Sequence, residues 1–476
     1  MRLNFFCYLS LALTGFCCLV LSNKVVGQEV VTYPATDSVL LARSTSQPIN
    51  ASASAHALTD VVPTTDLILG YVDSTSTPTA AQVGSPNSTI HVFGEGEGAE
   101  IGAQPRRFAY GLHLTIRGVY DDNINISNTD RESDFYFAIE PSVTLGFGDI
   151  TGSQDNYIRL DYSPSIVLFL DHTEANGIQH IFHLEGQHHF GRLTLTLGQD
   201  VAILDGTDIR SFGETSSPGG KVNLDVGGRV RENIFTTHLN SAYDLTGKTF
   251  LTSAITFNAY DYPDSNLYSS NTIQGNLFAN YRYSDKLTIG LGGTGGYNFV
   301  SDPNPNETFE QANVRLTYVL TGKINLNGSA GVEFRQFEDE TRDTYVSPVF
   351  ELDASYQMFD STSFHLSGSR RTYNSAVLGG QDFAGTNLNA SIRQRFFQRF
   401  FVGLSAGFEI DDYFATVSGI SSDRHDDYFF VSPTVDFSVT RFWTVGAYYL
   451  HRQNDSSSDT FKFDDNQVGF RTSLTF

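Results

Sequence analysis

Cysteine, tryptophan and methionine are nearly missing from this chain: three cysteines, one tryptophan and two methionines in 476 residues. The three cysteines, Cys7, Cys17 and Cys18, all sit in one N-terminal apolar run. The rest of the chain therefore has neither a disulfide framework nor a cysteine metal site available to it. Basic side chains are also scarce, with 30 Lys and Arg against 53 Asp and Glu for a formal net charge of −23. Arg2 and Lys24 flank the apolar run, so the chain beyond them is more acidic still. Such a charge balance excludes nucleic acid as a partner. Beyond Leu21 no stretch offers the roughly 18 consecutive apolar residues that a transmembrane helix needs.

Arg2, the apolar run from Leu3 to Leu21, Ser22-Asn23-Lys24 and the small Gly27 read as a secretory signal peptide over residues 1–27. The alternative, an N-terminal membrane anchor, is disfavoured because the run sits at the short end of spanning length. A lipoprotein leader is disfavoured too, since Cys17 and Cys18 follow Phe16 and Cys17 where a small residue is wanted. Residues 28–107 shift to Ser, Thr, Ala, Pro and Gly, which cannot bury enough apolar surface to order themselves. They are expected to form a disordered periplasmic segment, within which Asp66-Leu67-Ile68-Leu69-Gly70-Tyr71 is a candidate interaction motif.

From Phe108 to Phe476 the pattern changes to alternation, with about 18 strand candidates. In the last one, Val468, Phe470, Leu474 and Phe476 share a face with Thr472, while Gln467, Gly469, Arg471, Ser473 and Thr475 share the other. This predicts an apolar outside and a polar inside, and the fold class is all-β: a transmembrane antiparallel up-and-down β-barrel over residues 108–476. Short turns near 190–192, 245–248, 284–286, 320–323, 359–362, 398–399 and 440–441 alternate with long acidic segments such as 121–134, 205–228, 301–308, 375–386 and 454–466. Short periplasmic turns and long outer loops put both termini in the periplasm. Tyr243, Tyr281, Tyr318 and, more loosely, Tyr356 recur at a period of about 38 residues just before a turn, which suits an interfacial aromatic girdle.

The inward set carries charges of both signs: Arg315, Glu333, Arg335, Glu351, Asp353, Arg393, Arg395, Glu409, Asp411, Asp436 and Arg471. They are the candidate lumen-lining residues, either as a solute-selecting ladder or as a lateral network that holds the strands together. Several soluble-enzyme motifs are set aside. Gly403-Leu404-Ser405-Ala406-Gly407 continues an alternating strand instead of making a nucleophile elbow. Gly290, Gly292 and Gly295 precede no helix that could bind a pyrophosphate. His183, Glu185 and His189 share a strand face and read as polar lumen residues more readily than as metal ligands. Residues 121–132 place oxygen ligands in an EF-hand-like register, but Ile126 stands where glycine is required, so an Asx-rich turn is the preferred reading. No enzyme activity and no cofactor are expected.

The C-terminal strand resembles that of bacterial outer-membrane proteins. The resemblance implies that Phe470, Leu474 and Phe476 form an assembly signal for the outer-membrane assembly machinery. Gly118-Val119-Tyr120-Asp121-Asp122-Asn123-Ile124, with the strand-and-turn repeats from there to Phe476, resembles the β-barrel porin family often associated with exopolysaccharide gene clusters. That resemblance implies a channel or accessory barrel in the outer membrane of a Gram-negative-type bacterium, embedded in lipid and passing polysaccharide or small solutes. The competing expectation is a nonconducting structural or adhesive barrel whose acidic loops contact partners.

Overall fold

A computed structural model of the chain describes residues 108–148, 156–205, 222–264, 266–320, 322–338, 342–420 and 422–476. The readings made for residues 1–27 and 28–107 lie outside these. The described residues form 18 strands. The first six are β1 (Phe108–Asp121), β2 (Asp134–Gly148), β3 (Tyr157–Phe169), β4 (Gly177–Phe190), β5 (Leu193–Asp205) and β6 (Arg231–Asp244). Next come β7 (Thr249–Asp261), β8 (Ser270–Arg282), β9 (Leu287–Val300), β10 (Glu307–Leu320), β11 (Ile324–Phe337) and β12 (Tyr345–Phe359). The last are β13 (Thr362–Asn374), β14 (Gln381–Phe396), β15 (Phe400–Ala415), β16 (His425–Thr440), β17 (Trp443–Ser456) and β18 (Phe463–Thr475). Each strand pairs antiparallel with its sequence neighbour, and β18 closes on β1 from Asp121↔Gln467 to His113↔Thr475. Phe476 completes the seam, its N–H donating to the Leu112 carbonyl at 2.8 Å. The closed 18-stranded antiparallel barrel that the alternation predicts is present, and closure removes the edges that hydrocarbon forbids.

One end of the barrel, the turn end, carries the tight turns, and the other, the loop end, carries the long connections. The β14–β15 turn has two residues with positive φ, Phe397 (49°) and Gln398 (66°), as a tight hairpin demands. Along most strands the exposed set is apolar: Leu112, Ile255, Leu277, Leu291, Val314, Val346 and Phe470 all face outward. Tyr243 and Tyr281 join this outer face near the turn end, and the single tryptophan, Trp443, donates there to Thr472 Oγ1 at 2.8 Å. A belt of this kind needs a lipid cover. No helix among the described residues is long and apolar enough to cross a membrane.

Prolines mark where the ladder yields. The β2–β3 register runs from Tyr136↔Phe169 to Ile139↔Ile166 and resumes at Val143↔Tyr162, so Pro141 and Pro164 fall opposite each other in the gap. Neither has an N–H to give. Ser163 Oγ donates to Ser142 Oγ at 3.0 Å and bridges the interruption through side chains.

A larger departure occurs between β12 and β13. Their pairing starts at Phe350↔Arg370, leaving Tyr345 to Val349 without a β13 partner, although β13, β14 and β15 stay paired with one another to Asn374↔Asp382 and Gln381↔Ala415. The freed ends bend into the barrel. Asn374 and Phe414 belong by alternation to the outward set, yet Asn374 Nδ2 donates to Glu307 Oε1 at 2.9 Å and Phe414 stacks on Tyr345 with ring centroids 3.9 Å apart. Glu307 and Tyr345 belong to the inner wall. The start of β14, Asp382 to Gly385, is consequently buried on both faces.

Candidate functional site

The inner wall divides by height. Toward the turn end it is polar: His113, Thr115, Ser473 and Thr475 on the seam, Thr252 and Asn280 on β7 and β8, Asn325, Asn327 and Ser329 on β11. Toward the loop end the inner face of β1–β3 and β16–β18 carries a large apolar patch beside buried charges such as Arg117, Asp121, Arg452 and Asp465. Val119, Tyr136, Ala138, Val167, Phe169, Tyr428, Phe430, Tyr448, Leu450 and Phe463 pack there into one buried cluster. The rule of a polar inside fails at this level because the wall is not facing water. Leu224 of the β5–β6 connection and Ile124 and Ile126 of the β1–β2 connection cover it.

What holds the β5–β6 connection inside is a polar hub on the residue after Leu224. The Asp225 carboxylate accepts from Ser375 Oγ (2.8 Å), Ala376 N (2.5 Å) and Tyr413 Oη (3.0 Å), and Arg424 Nη1 lies 3.7 Å from it. Arg424 also donates to the backbone carbonyls of Asp225 (2.9 Å) and Leu224 (2.7 Å) and pairs with Asp426 at 2.6 Å. Its guanidinium is sandwiched, 3.4 Å from the Phe461 ring centroid and 4.3 Å from that of Tyr413. Asn223 Nδ2 reaches Tyr262 Oη at 2.9 Å, and Arg229 donates to Ala175 O at 3.2 Å. The infolded β13–β14 turn is tied in by Tyr268 N to Ala376 O at 2.7 Å and by Gly380 N to Asn304 Oδ1. The β3–β4, β7–β8, β13–β14 and β15–β16 connections thus meet on the 222–229 segment, which lies against the inner wall. Burial pushes the Asp225 carboxyl up from its ordinary value of 3.8, against the opposing pull of Arg424 and the three donors.

The charged side chains singled out from the sequence all belong to the inner set, but they do not form one ladder. Arg335 is enclosed by carboxylates: it pairs with Glu307 at 2.6 Å and Glu333 at 3.0 Å and lies 3.7 Å from Asp382. Glu333 is as buried as Arg335, so neither meets solvent. Glu351 pairs with Arg371 at 3.2 Å, Asp353 with His365 at 3.4 Å, and Arg471 with Asp436 at 2.9 Å. Arg315 lies over the Phe278 ring at 3.8 Å and donates to Thr252 Oγ1 at 3.2 Å. Arg393 covers the Phe401 ring at 4.8 Å, and Arg395 reaches the Asp360 carbonyl at 3.5 Å. Glu409 faces inward beside Asp411, well above Arg393 and Arg395, whose β15 partners are Gly403 and Phe401.

Sequence reasoning missed the hub and the charges of the first and last strands: Arg117 with Glu140, Arg159 with Asp161 at 2.7 Å, and Arg452 with Asp465 at 2.5 Å. A signal existed. Phe135-Tyr136-Phe137-Ala138-Ile139, Ile166-Val167-Leu168-Phe169 and Tyr448-Tyr449-Leu450 are unbroken apolar runs, which mark a strand covered on both faces. His183, Glu185 and His189 do not converge: His183 Nδ1 pairs with Asp200 at 2.5 Å, Glu185 accepts from Tyr157 Oη, and His189 bonds Thr194 Oγ1 at 2.9 Å. The 121–132 segment is not an EF-hand. Asn123 and Asn125 spend their side chains on Ser127 and Glu132, and Ile126 takes φ 50° with its side chain buried in the apolar cluster.

No family model matches the chain, and no curated protein matches it. Among solved structures, it is similar to Pseudomonas aeruginosa OpdK crystallised with vanillate, at 11% identity and a TM-score of 0.38 over 77% of this chain and 99% of that one. It is also similar to Acinetobacter baumannii OccAB4, at 8% identity and a TM-score of 0.40 over 77% and 98% of the two chains. Pseudomonas aeruginosa OprD matches at 12% identity and a TM-score of 0.37, over 77% and 95%.

Proposed function

We propose that this chain is an outer-membrane channel for small polar solutes, closed at its loop end by the docked 222–229 segment. The supporting observation is the way that end is filled. A barrel of 18 strands is wide enough for a watery lumen, and here the obstruction is a segment held by side-chain hydrogen bonds and one guanidinium instead of by strand pairing. Such an obstruction can leave without opening the wall. Below it the lumen is lined by Thr, Asn, Ser and paired charges, a surface suited to hydrated solutes. The short turns would face the periplasm. Reconstitution into planar bilayers tests the reading: stepwise conductance is expected, and a correctly folded, inserted barrel that never conducts overturns it.

The second reading, a nonconducting structural barrel, draws on the apolar packing of Leu224, Ile124 and Ile126, which would make the seal permanent. Polysaccharide export rests on the sequence resemblance alone, and the geometry of the described residues adds nothing to it.

Two further outcomes are expected. Arg393 and Arg395 belong to the inner set near the turn end, so Arg393→Glu with Arg395→Glu should move the reversal potential toward cation preference. An unchanged reversal potential in an inserted double variant would place both side chains outside the ion path. The assembly role of Phe470, Leu474 and Phe476 can be probed through Phe476, whose ring is exposed on the outer face at the seam. Phe476→Ala should lower outer-membrane levels several-fold while Ser473→Ala does not. Equal levels in cell fractions would remove Phe476 from the signal.

A further inference from the structure

We infer that the loop end of the closing seam, where β1 meets β18, is a binding site for one hard divalent cation of the calcium type, held by Asp121, Asp122 and Asp465. The inference does not depend on whether the barrel conducts. Asp121 ends β1 and Asp465 lies two residues before Gln467, the residue that pairs with Asp121, so both carboxylates sit on the inner face one diagonal step apart. Asp122 continues the ladder beyond β1: its N–H donates to Asn466 O at 3.1 Å, and its carboxylate accepts from Asn466 N at 2.8 Å. One oxygen from each of the three carboxylates lies within 4.8 Å of the others. Two oxygens on one calcium ion stand at most about 4.8 Å apart, twice a Ca–O distance of ~2.4 Å. Three oxygens no more than 4.8 Å apart lie at most about 2.8 Å from a common point, close to the range of Ca–O distances.

Acidic clusters commonly exist without a metal, so the polar atoms around this one matter more. Asp465 is fully buried, and while its Oδ2 accepts from Arg452 Nε at 2.5 Å, its Oδ1 has no hydrogen-bond partner. Gln467, also buried, turns its amide N toward both inner carboxylates, 2.8 Å from Asp121 Oδ2 and 3.3 Å from Asp465 Oδ2. Its own Oε1 is a second buried acceptor without a donor. The orphaned Oδ1 of the fully buried Asp465, a member of the carboxylate triangle, is costly unless something positive satisfies it.

The local charge agrees. Asp121, Asp122, Asp464 and Asp465 face two guanidinium groups, Arg452 on the inner face and the half-exposed Arg131, 3.4 Å from Asp122 and 3.7 Å from Asp464. The carboxylates outnumber the guanidinium groups, which is the sense of charge that a bound cation complements. All the donors are oxygen, with no thiolate or imidazole in the set, which selects calcium or magnesium over zinc or copper. An irregular set of carboxylates on two strands and a loop suits the flexible geometry of calcium better than the strict octahedron of magnesium. The consequence is mechanical: an ion shared by β1 and β18 staples the closing seam of the barrel.

The test is the unfolding midpoint of the refolded full-length protein in detergent, tracked by its heat-dependent electrophoretic mobility in calcium, in magnesium and in EDTA. Calcium should raise the midpoint over EDTA and magnesium should raise it less, because a ligand that binds only the folded state stabilises it. Asp122→Asn, at a partly exposed position that tolerates change, should weaken calcium binding about tenfold by calorimetry. Asp465→Asn should abolish it, whereas Asp455→Asn on the neighbouring exposed rim should leave it intact. Titration of the wild type should give one ion per chain. No calcium-dependent shift in the wild type overturns the proposal. So does an equal shift in Asp122→Asn and the wild type, which would place the calcium on the acidic outer loops.

Discussion

Asp225→Ala is expected to convert a mostly closed barrel into a mostly open one. The carboxylate is the point at which three donors and Arg424 hold the 222–229 segment, and it does so from a buried position. Hydrogen bonds to a charged group contribute about 1.5–3 kcal/mol each. Losing ~3 kcal/mol of docking free energy, less than the whole set, raises the undocked fraction by about two orders of magnitude. The barrel wall should be indifferent, since Asp225 belongs to no strand and takes no part in the backbone ladder. Single-channel recording therefore ought to show open probability rising steeply at unchanged thermal stability. Open probability at the wild-type level would mean that Leu224 and the apolar cluster hold the segment without the hub.

The same residue gives the docking a pH dependence of known sign. Burial raises the Asp225 carboxyl above 3.8, so the docked state binds its proton more tightly than the released segment does. The proton-linked advantage of docking is complete below the ordinary carboxylate value and disappears as pH rises through the raised one. Acidification should thus favour closure in the wild type. The difference in pH response between wild type and Asp225→Ala isolates this contribution from that of the other carboxylates, and identical responses would exclude it.

How much of the molecule could be read from the chain depends on range. Strand alternation is a two-residue pattern, and hairpin turns are local, so the 18 strands, the tight turns at 190–192 or 398–399 and the outward faces of Val468, Phe470 and Phe476 were all legible. The docked segment was not. Val222-Asn223-Leu224-Asp225-Val226-Gly227-Gly228 has the composition of an ordinary connection, and its partners Ser375, Tyr413 and Arg424 lie 150 to 199 residues away. Its trace in the sequence is indirect, in the wall it covers: the apolar runs at 135–139, 166–169 and 448–450 break strict alternation only where an inner face is dry. The infolding of β13–β15 left a fainter mark. Pro348 lies on β12 within the stretch that has no β13 partner, as a residue without an N–H can at an unpaired edge. The charges were legible as inward, but whether an inward charge meets water or a partner depends on what fills the lumen at its height. Arg335 shows the difference, since it reads like Arg315 by alternation and ends fully enclosed.

That enclosure makes Arg335→Met the substitution with the largest expected effect on stability. Methionine fills much of the same volume, so the change chiefly removes one positive charge from among Glu307, Glu333 and Asp382, all three of them buried. Removing one partner of a buried ion pair typically costs about 3–5 kcal/mol because the other is left uncompensated. Here three carboxylates are left, and the infolded β13–β14 ribbon keeps the bonds from Asn374 to Glu307 and Asp382 but loses the one from Arg335 Nη2 to the Thr372 carbonyl. The loss should appear as a lower urea midpoint of the refolded barrel and as faster proteolysis within 375–380, since the ribbon loses the cation that draws it inward. Glu307→Gln, Glu333→Gln and Asp382→Asn introduced together with Arg335→Met should recover most of the midpoint, because neutral amides can share hydrogen bonds where carboxylates repel. Failure of that rescue would show that Arg335 acts through its packing over the Phe309 ring, 5.2 Å from the guanidinium carbon, and not through its charge.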